Sequence, residues 1–233
     1  MQNIEFICEP ALIGLIPEPV PAGRMIPEWF RRLDRDLPTL DAHGLQGLTA
    51  KACLPFVDAM SLGFVIPLPI DITVYVDAEN KAYRFNAERN APFEPIGDHT
   101  PDQLGAPAEP HASVVPFKFI NPWQIIVPEG YSILFTQPIN HAELPFAAFT
   151  GLVDCDGYST TVNIPFLWTA GSGKFILKAG TPIAQIIPIN RSDMRPELNV
   201  RAATQSELRQ RSITNDKKYS SASIYAREWR AKK

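Results

Sequence analysis

Two short constellations in this 233-residue chain carry side chains suited to chemistry. The first is His141-Ala142-Glu143, whose H-x-E spacing supplies two ligands of the facial triad that holds non-haem iron in oxygenases. That triad needs a second histidine. None follows His141, so the partner must be His99 or His111, both in a polar stretch over residues 88–111. Loop histidines also serve as solvated or capping groups, and the residue types leave both readings open. The second constellation is Asp154-Cys155-Asp156-Gly157-Tyr158, two carboxylates and a phenol directly after the apolar run Gly151-Leu152-Val153. Taken alone, the aspartates and Gly157 end a strand and form a turn. A third string, Gly171-Ser172-Gly173-Lys174, fails as a phosphate loop. That motif needs glycine where Trp168 stands and serine or threonine where Phe175 stands. A hairpin turn between two strands accounts for its glycines.

The elements that must position these residues are short strands. Proline, at 23 residues, is about twice its ordinary share and is spread along the chain, which long helices do not tolerate. Alternation and turn residues predict strands over 4–8, 114–119, 123–127, 131–136, 146–153, 160–168, 174–177 and 182–189, with a hairpin of 72–76 and 82–85 across Asp77-Ala78-Glu79-Asn80. Short helices are expected over 26–33, where Trp29, Phe30 and Leu33 form a packing stripe, and from about Pro55 to Met60. Further helices are expected over 206–211 and 220–232. Residues 88–111 read as a long loop. Trp123 and Trp168, beside strands, are expected in the core, with a ligand wall as the alternative. The fold expected is mainly β, a sandwich or barrel. It is organised as a β-rich domain over 1–206, with an N-terminal elaboration over 1–63 and a strand-rich part over 114–190, followed by a basic arm over 207–233.

Three strings in order make the second constellation more informative: Pro128-Glu129-Gly130-Tyr131, then Gly151-Leu152-Val153-Asp154-Cys155-Asp156-Gly157-Tyr158, then Gly180-Thr181-Pro182-Ile183-Ala184-Gln185-Ile186. Their order and spacing over residues 123–189 resemble the trimeric dUTPase and dCTP-deaminase superfamily. There a P-x-G-Y strand leads to G-[LVI]-[IV]-D-x-D-Y and then to G-x-[RK]-I-A-Q-[LI]. The resemblance implies a β-clip fold, a homotrimer with shared sites, and magnesium accompanying a nucleotide. It makes Asp154 the water-activating aspartate that touches the sugar, Tyr158 the tyrosine stacked under it, and Gln185 the glutamine of the I-A-Q strand. Asp156 and Asn140 complete the ligand-binding set. The chain departs from the pattern in four ways. Thr136-Gln137-Pro138-Ile139-Asn140 replaces the phosphate-binding P-R-S-S segment, and Gly157 is inserted before Tyr158. Thr181-Pro182 stands where a basic residue precedes I-A-Q, and a basic tail replaces the glycine-rich arm. Without those charge-assisted phosphate contacts, ligand binding is expected rather than hydrolysis. Over its whole length the chain also resembles an uncharacterised family of bacterial and phage proteins. The residues concerned are Pro27-Glu28-Trp29-Phe30, Cys53-Leu54-Pro55-Phe56-Val57-Asp58-Ala59, Asn121-Pro122-Trp123 and Val162-Asn163-Ile164-Pro165-Phe166.

Composition bounds the partners. From Glu207 onward eight Lys and Arg face three Asp and Glu, a local +5 inside a net charge of −3. A sequence pI near 5.8 argues against a dedicated duplex-DNA binder. Proline and Asp71 interrupt the longest apolar run, so no bilayer-spanning helix is expected. The N-terminus has no basic leader segment and the three cysteines form no C-x-x-C pair, so a cytoplasmic protein is expected. The reading is a small-ligand-binding protein, a nucleotide being the ligand the resemblance names. The alternatives are an iron enzyme using His99, His111, His141 and Glu143, and a non-enzymatic binding module acting through the basic arm or Trp29-Phe30.

Overall fold

Period-two burial builds most of this chain. In Ile72–Asp77, residues Ile72, Val74 and Val76 are buried while their neighbours are not. A computed structural model describes residues 3–40, 46–88, 91–104, 115–220 and 224–231. The first strands are β1 (Glu5–Ile7), β2 (Val20–Pro21), β3 (Asp36–Leu40), β4 (Gln46–Leu48), β5 (Phe64–Pro67), β6 (Ile72–Asp77), β7 (Ala82–Ala87) and β8 (Ile96–Asp98). The remainder are β9 (Pro116–Phe119), β10 (Gln124–Ile126), β11 (Tyr131–Thr136), β12 (Phe146–Ala148), β13 (Gly151–Val153), β14 (Ile164–Trp168), β15 (Gly173–Leu177) and β16 (Pro182–Asn190). Two short helices, α1 (Glu28–Arg32) and α2 (Leu54–Met60), precede β3 and β5 respectively. The fold is mainly β, in several sheets.

A five-stranded sheet runs β13-β11-β16-β5-β2 and a four-stranded sheet runs β12-β14-β9-β8. A three-stranded sheet, β15-β6-β7, and the pairs β1-β10 and β3-β4 complete the set. Every named pairing is antiparallel. The four-stranded sheet carries an aromatic centre in which Phe119 stacks on Phe166, with centroids 4.0 Å apart, and Phe146 and Phe117 pack around them. Trp123 and Trp168 are buried, as core packing requires.

Four expectations need correction. The run 146–153 is two strands in different sheets. The chain breaks at Phe149, whose N–H donates to the Pro165 carbonyl, so β12 pairs with β14 and β13 with β11. Gly171-Ser172-Gly173 is a crossover rather than a hairpin, because β14 and β15 lie in different sheets. The segment 88–111 contains β8, which pairs with β9 although it is only three residues long between prolines. The tail forms one 16-residue helix, α3 (Gln205–Ser220), followed by a π-helical turn at Tyr225–Trp229.

The chain divides into two units, Met1–Met194 and Arg195–Lys233, ahead of the boundary expected at 206/207. In the second, the start of α3 is set by a capping box. The Glu207 amide donates to Thr204 Oγ1, and the Thr204 amide donates to Glu207 Oε2 at 2.7 Å. Arg201 grips the same carboxylate through both Nη atoms. This helix is polar around its circumference, so the cap does the work that burial does elsewhere. No helix among the described residues is long and apolar enough to cross a membrane.

Candidate functional site

Three neighbouring strands deliver the second constellation to one end of the five-stranded sheet. β11 starts after the Pro128-Glu129-Gly130 turn, with Gly130 at φ +84°, so Tyr131 and Ser132 open the strand. β13 ends at Val153, paired with Ile133, which sets Asp154 beside Ser132. β16 ends at Asn190, opposite Tyr131, and the Arg191 amide donates to the Gly130 carbonyl at 2.9 Å. The amides of Gly157 and Tyr158 both donate to the Asp154 carbonyl at 3.1 Å, closing the turn.

Arg191 organises the charges. Its Nη1 donates to the Tyr131 carbonyl at 2.9 Å and to Asp156 Oδ1 at 3.0 Å, and its Nη2 donates to Asp156 Oδ2 at 2.5 Å. Such a two-pronged bond fixes the guanidinium plane. The Gly130 amide also donates to Asp156 Oδ2, at 2.9 Å. The Asp156 side chain is only 13% exposed and is bound on both oxygens. Asp154 differs. Ser132 Oγ donates to its Oδ1 at 2.6 Å, Arg191 Nη1 lies 3.7 Å from the same oxygen, and Oδ2 has no hydrogen bond among the described residues. Its side chain is 68% exposed. The cluster therefore offers one half-buried structural carboxylate and one oriented carboxylate open to solvent.

The Arg191 hydrogen bond, helped by the Gly130 amide, holds the Asp156 carboxyl down at about 2, below its ordinary 3.8. Between them, Cys155 is buried, and burial together with the charges of Asp156 and Asp154 pushes its thiol up to about 11. At neutral pH that thiol stays protonated and is no nucleophile. Because the folded chain holds Asp156 ionised below pH 3.8, the unfolded chain binds more protons there. This contribution is present above pH 3.8 and is lost as pH falls toward about 2. Arg191→Met should raise the Asp156 carboxyl toward its ordinary value. A carbon-detected titration reads it, and identical titrations in parent and variant would remove Arg191 as the cause.

The other expected ligand contacts lie elsewhere. Gln185 pairs with Thr136, at the opposite end of β11 from Tyr131, roughly 17 Å along the strand. It is 2% exposed. Its Nε2 donates to the carbonyls of Leu62 at 2.7 Å and Ala59 at 3.3 Å, and its Oε1 accepts from the Ile139 amide at 3.0 Å. Asn140, at φ +63°, uses its carbonyl to accept from Trp29 Nε1 at 3.0 Å. Tyr158 is half exposed beside the Asp154 turn. The structure thus brings Asp154, Asp156 and Tyr158 together and leaves Gln185 and Asn140 at the far end. It adds Arg191 and Ser132, which the sequence reading missed. The available signal was register: Arg191 follows directly on the strand that pairs with β11.

Of the expected metal ligands, His99, His141 and Glu143 lie among the described residues. Buried His141 donates from Nε2 to the Met25 carbonyl at 2.8 Å, and its Nδ1 lies 2.9 Å from Glu143 Oε1. The two residues expected to share an ion bind each other instead, with both ring nitrogens turned to protein oxygens. His99 lies just beyond β8, its buried Nδ1 without a hydrogen-bond partner among the described residues. His111 falls outside the described residues. Among the described residues no group of three or more His, Cys, Asp or Glu could hold a metal ion.

No protein-family model and no curated protein matches the chain. Among solved structures it is similar to a native EIAV dUTPase at 14% identity and a TM-score of 0.32, over 61% of this chain and 86% of that one. A likeness at that level leaves any functional reading to rest on the chain's own residues.

Proposed function

We propose that this chain is a small-ligand-binding protein on a dUTPase-like scaffold, with the ligand meeting Asp154 at the Ser132–Arg191 end of β11. The observation that supports it most is the Asp154 carboxylate itself, exposed, oriented by Ser132 and with Oδ2 unbonded among the described residues. Such an oxygen accepts a hydrogen bond from a sugar hydroxyl or orients a water. A nucleotide is the ligand class named by the three sequence strings around these residues. Asp154, Asp156 and nearby Glu129 outweigh Arg191 in charge, so a phosphate would approach with a divalent cation, and Asp154 Oδ2 is the oxygen to hold a hydrated magnesium. Magnesium would spread the phosphate charge. No arginine or serine pair lies in residues 136–140 to clamp a triphosphate, so binding is favoured over turnover. A homotrimer belongs to this reading, since a second copy would close the open side of Asp154 and half-exposed Tyr158.

The test is thermal stability against deoxynucleoside mono-, di- and triphosphates with magnesium, alongside sedimentation. A ligand at a hundred times its dissociation constant adds about 2.7 kcal/mol. We expect one base to raise the melting temperature of the parent, and Asp154→Ala, judged against its own ligand-free melting temperature, to lose that response. A flat panel, or a response that survives in Asp154→Ala, would overturn the reading. A monomeric mass would remove its shared-site part.

A further inference from the structure

A cavity of about 560 Å³, within the range of small-molecule sites, lies beside β1 and shares no lining residue with the Asp154 cluster. Its walls are largely apolar: buried Leu12 with Ile7, Phe93 and Pro122. Polar side chains interrupt them: Asn121, whose Nδ2 donates to the Trp123 and Val162 carbonyls, and the pair Gln124 and Thr161. Gln124 and Thr161 face each other in an isolated antiparallel bridge, which puts both side chains on one face, and both line the cavity. Neither makes a side-chain hydrogen bond among the described residues, so an amide and a hydroxyl stand side by side against an apolar space.

Among the described lining residues the charge has one sign. Glu9 lines it, its carboxylate without an ion pair among the described residues, and no Lys or Arg is among the described lining residues. Burial first, then the charges of Glu9 and Glu18, push the Cys8 thiol up, so both acids act on a side chain that itself lines the cavity. An anionic ligand meets repulsion here, and a neutral apolar one leaves the carboxylates unused.

We propose that this cavity binds a small organic cation, its apolar body against Leu12 and Phe93, its ammonium toward Glu9, and its polar edge on Gln124 and Thr161. The complement is an apolar body for the walls and a positive head for the acidic mouth. The proposal is independent of the Asp154 reading.

Three ligands with one indole body separate charge from shape: tryptamine, neutral tryptophol and anionic indole-3-acetate, titrated calorimetrically into the full chain. Tryptamine should bind saturably, tryptophol more weakly, and indole-3-acetate not at all. Raising the salt should weaken tryptamine alone. Glu9→Gln should weaken tryptamine about two- to fivefold, the range for a solvent-accessible ion pair, and leave tryptophol unchanged. Thr161→Trp should fill the space and abolish binding. Should that variant lower the melting temperature, Ile7→Trp at the exposed rim makes the same test. Equal binding of all three ligands, no tryptamine binding at millimolar concentration, or tryptamine binding that survives both Glu9→Gln and the filled cavity would each overturn the proposal. A nucleotide response lost in Asp154→Ala should persist in Glu9→Gln, which keeps the two sites distinguishable.

Discussion

Gln185→Ala should lower stability by about 2–5 kcal/mol, because it strands two backbone groups at once. The Leu62 carbonyl loses its donor and the Ile139 amide loses its acceptor around a side chain that is 2% exposed, whereas the Ala59 carbonyl keeps the Leu62 amide. Each orphaned buried group costs about 1–3 kcal/mol, and the two share one cavity, so the sum is less than fully additive. In a unit of this size the loss amounts to roughly 10 °C in melting temperature. The glutamine ties the end of α2 and the loop after β11 to β16, a structural task distinct from touching a ligand. Chemical denaturation of parent and variant checks it. If Gln185→Ala kept the parental midpoint and lost only a nucleotide response, the glutamine would be a ligand contact and the structural assignment would fall.

Gly63→Ala should be of the same order, about 3–5 kcal/mol, for a different reason. Gly63 turns the chain from α2 into β5 at φ +63°, where an L side chain costs about 1–2 kcal/mol. A Cβ there would lie 1.9 Å from the Ile186 carbonyl oxygen and 3.2 Å from Ile187 Cα. Both are backbone atoms of β16, which is paired to β5 on one side and β11 on the other, so the clash is relieved only by moving a central strand. Gly63→Asn separates the two causes. Asparagine tolerates positive φ yet carries the same Cβ, so it should be nearly as unstable as alanine. Recovery in Gly63→Asn would show that φ dominates, and a loss below about 1 kcal/mol in Gly63→Ala would show that the strand yields.

Both effects lie on the seam between α2, β5 and β16, and that seam was invisible in the sequence. Local signals were not. Alternation announced β6 and β7, turn residues bounded β11, and the Pro27-Glu28 start placed α1, because each depends on contacts within a few residues. Residue types also marked Asp154-Cys155-Asp156-Gly157-Tyr158 as a turn carrying charge, and the Asp154 carbonyl does close it. What the sequence left undecided was which strand lies beside which. Sheet partners are chosen by burial and register across distances that composition does not encode, so 146–153 looked like one strand and proved to be two in different sheets. The same choice brought Arg191 beside Asp156, 35 residues away in the chain, and made that carboxylate structural while leaving Asp154 open. It also turned His141 and Glu143 toward each other and sank Gln185 below the surface. The sequence by itself determined the β character, the turns and the chemical inventory. Tertiary structure decided which polar groups are consumed by the backbone and which remain for a ligand, because buried polar atoms must find partners and only the fold supplies them.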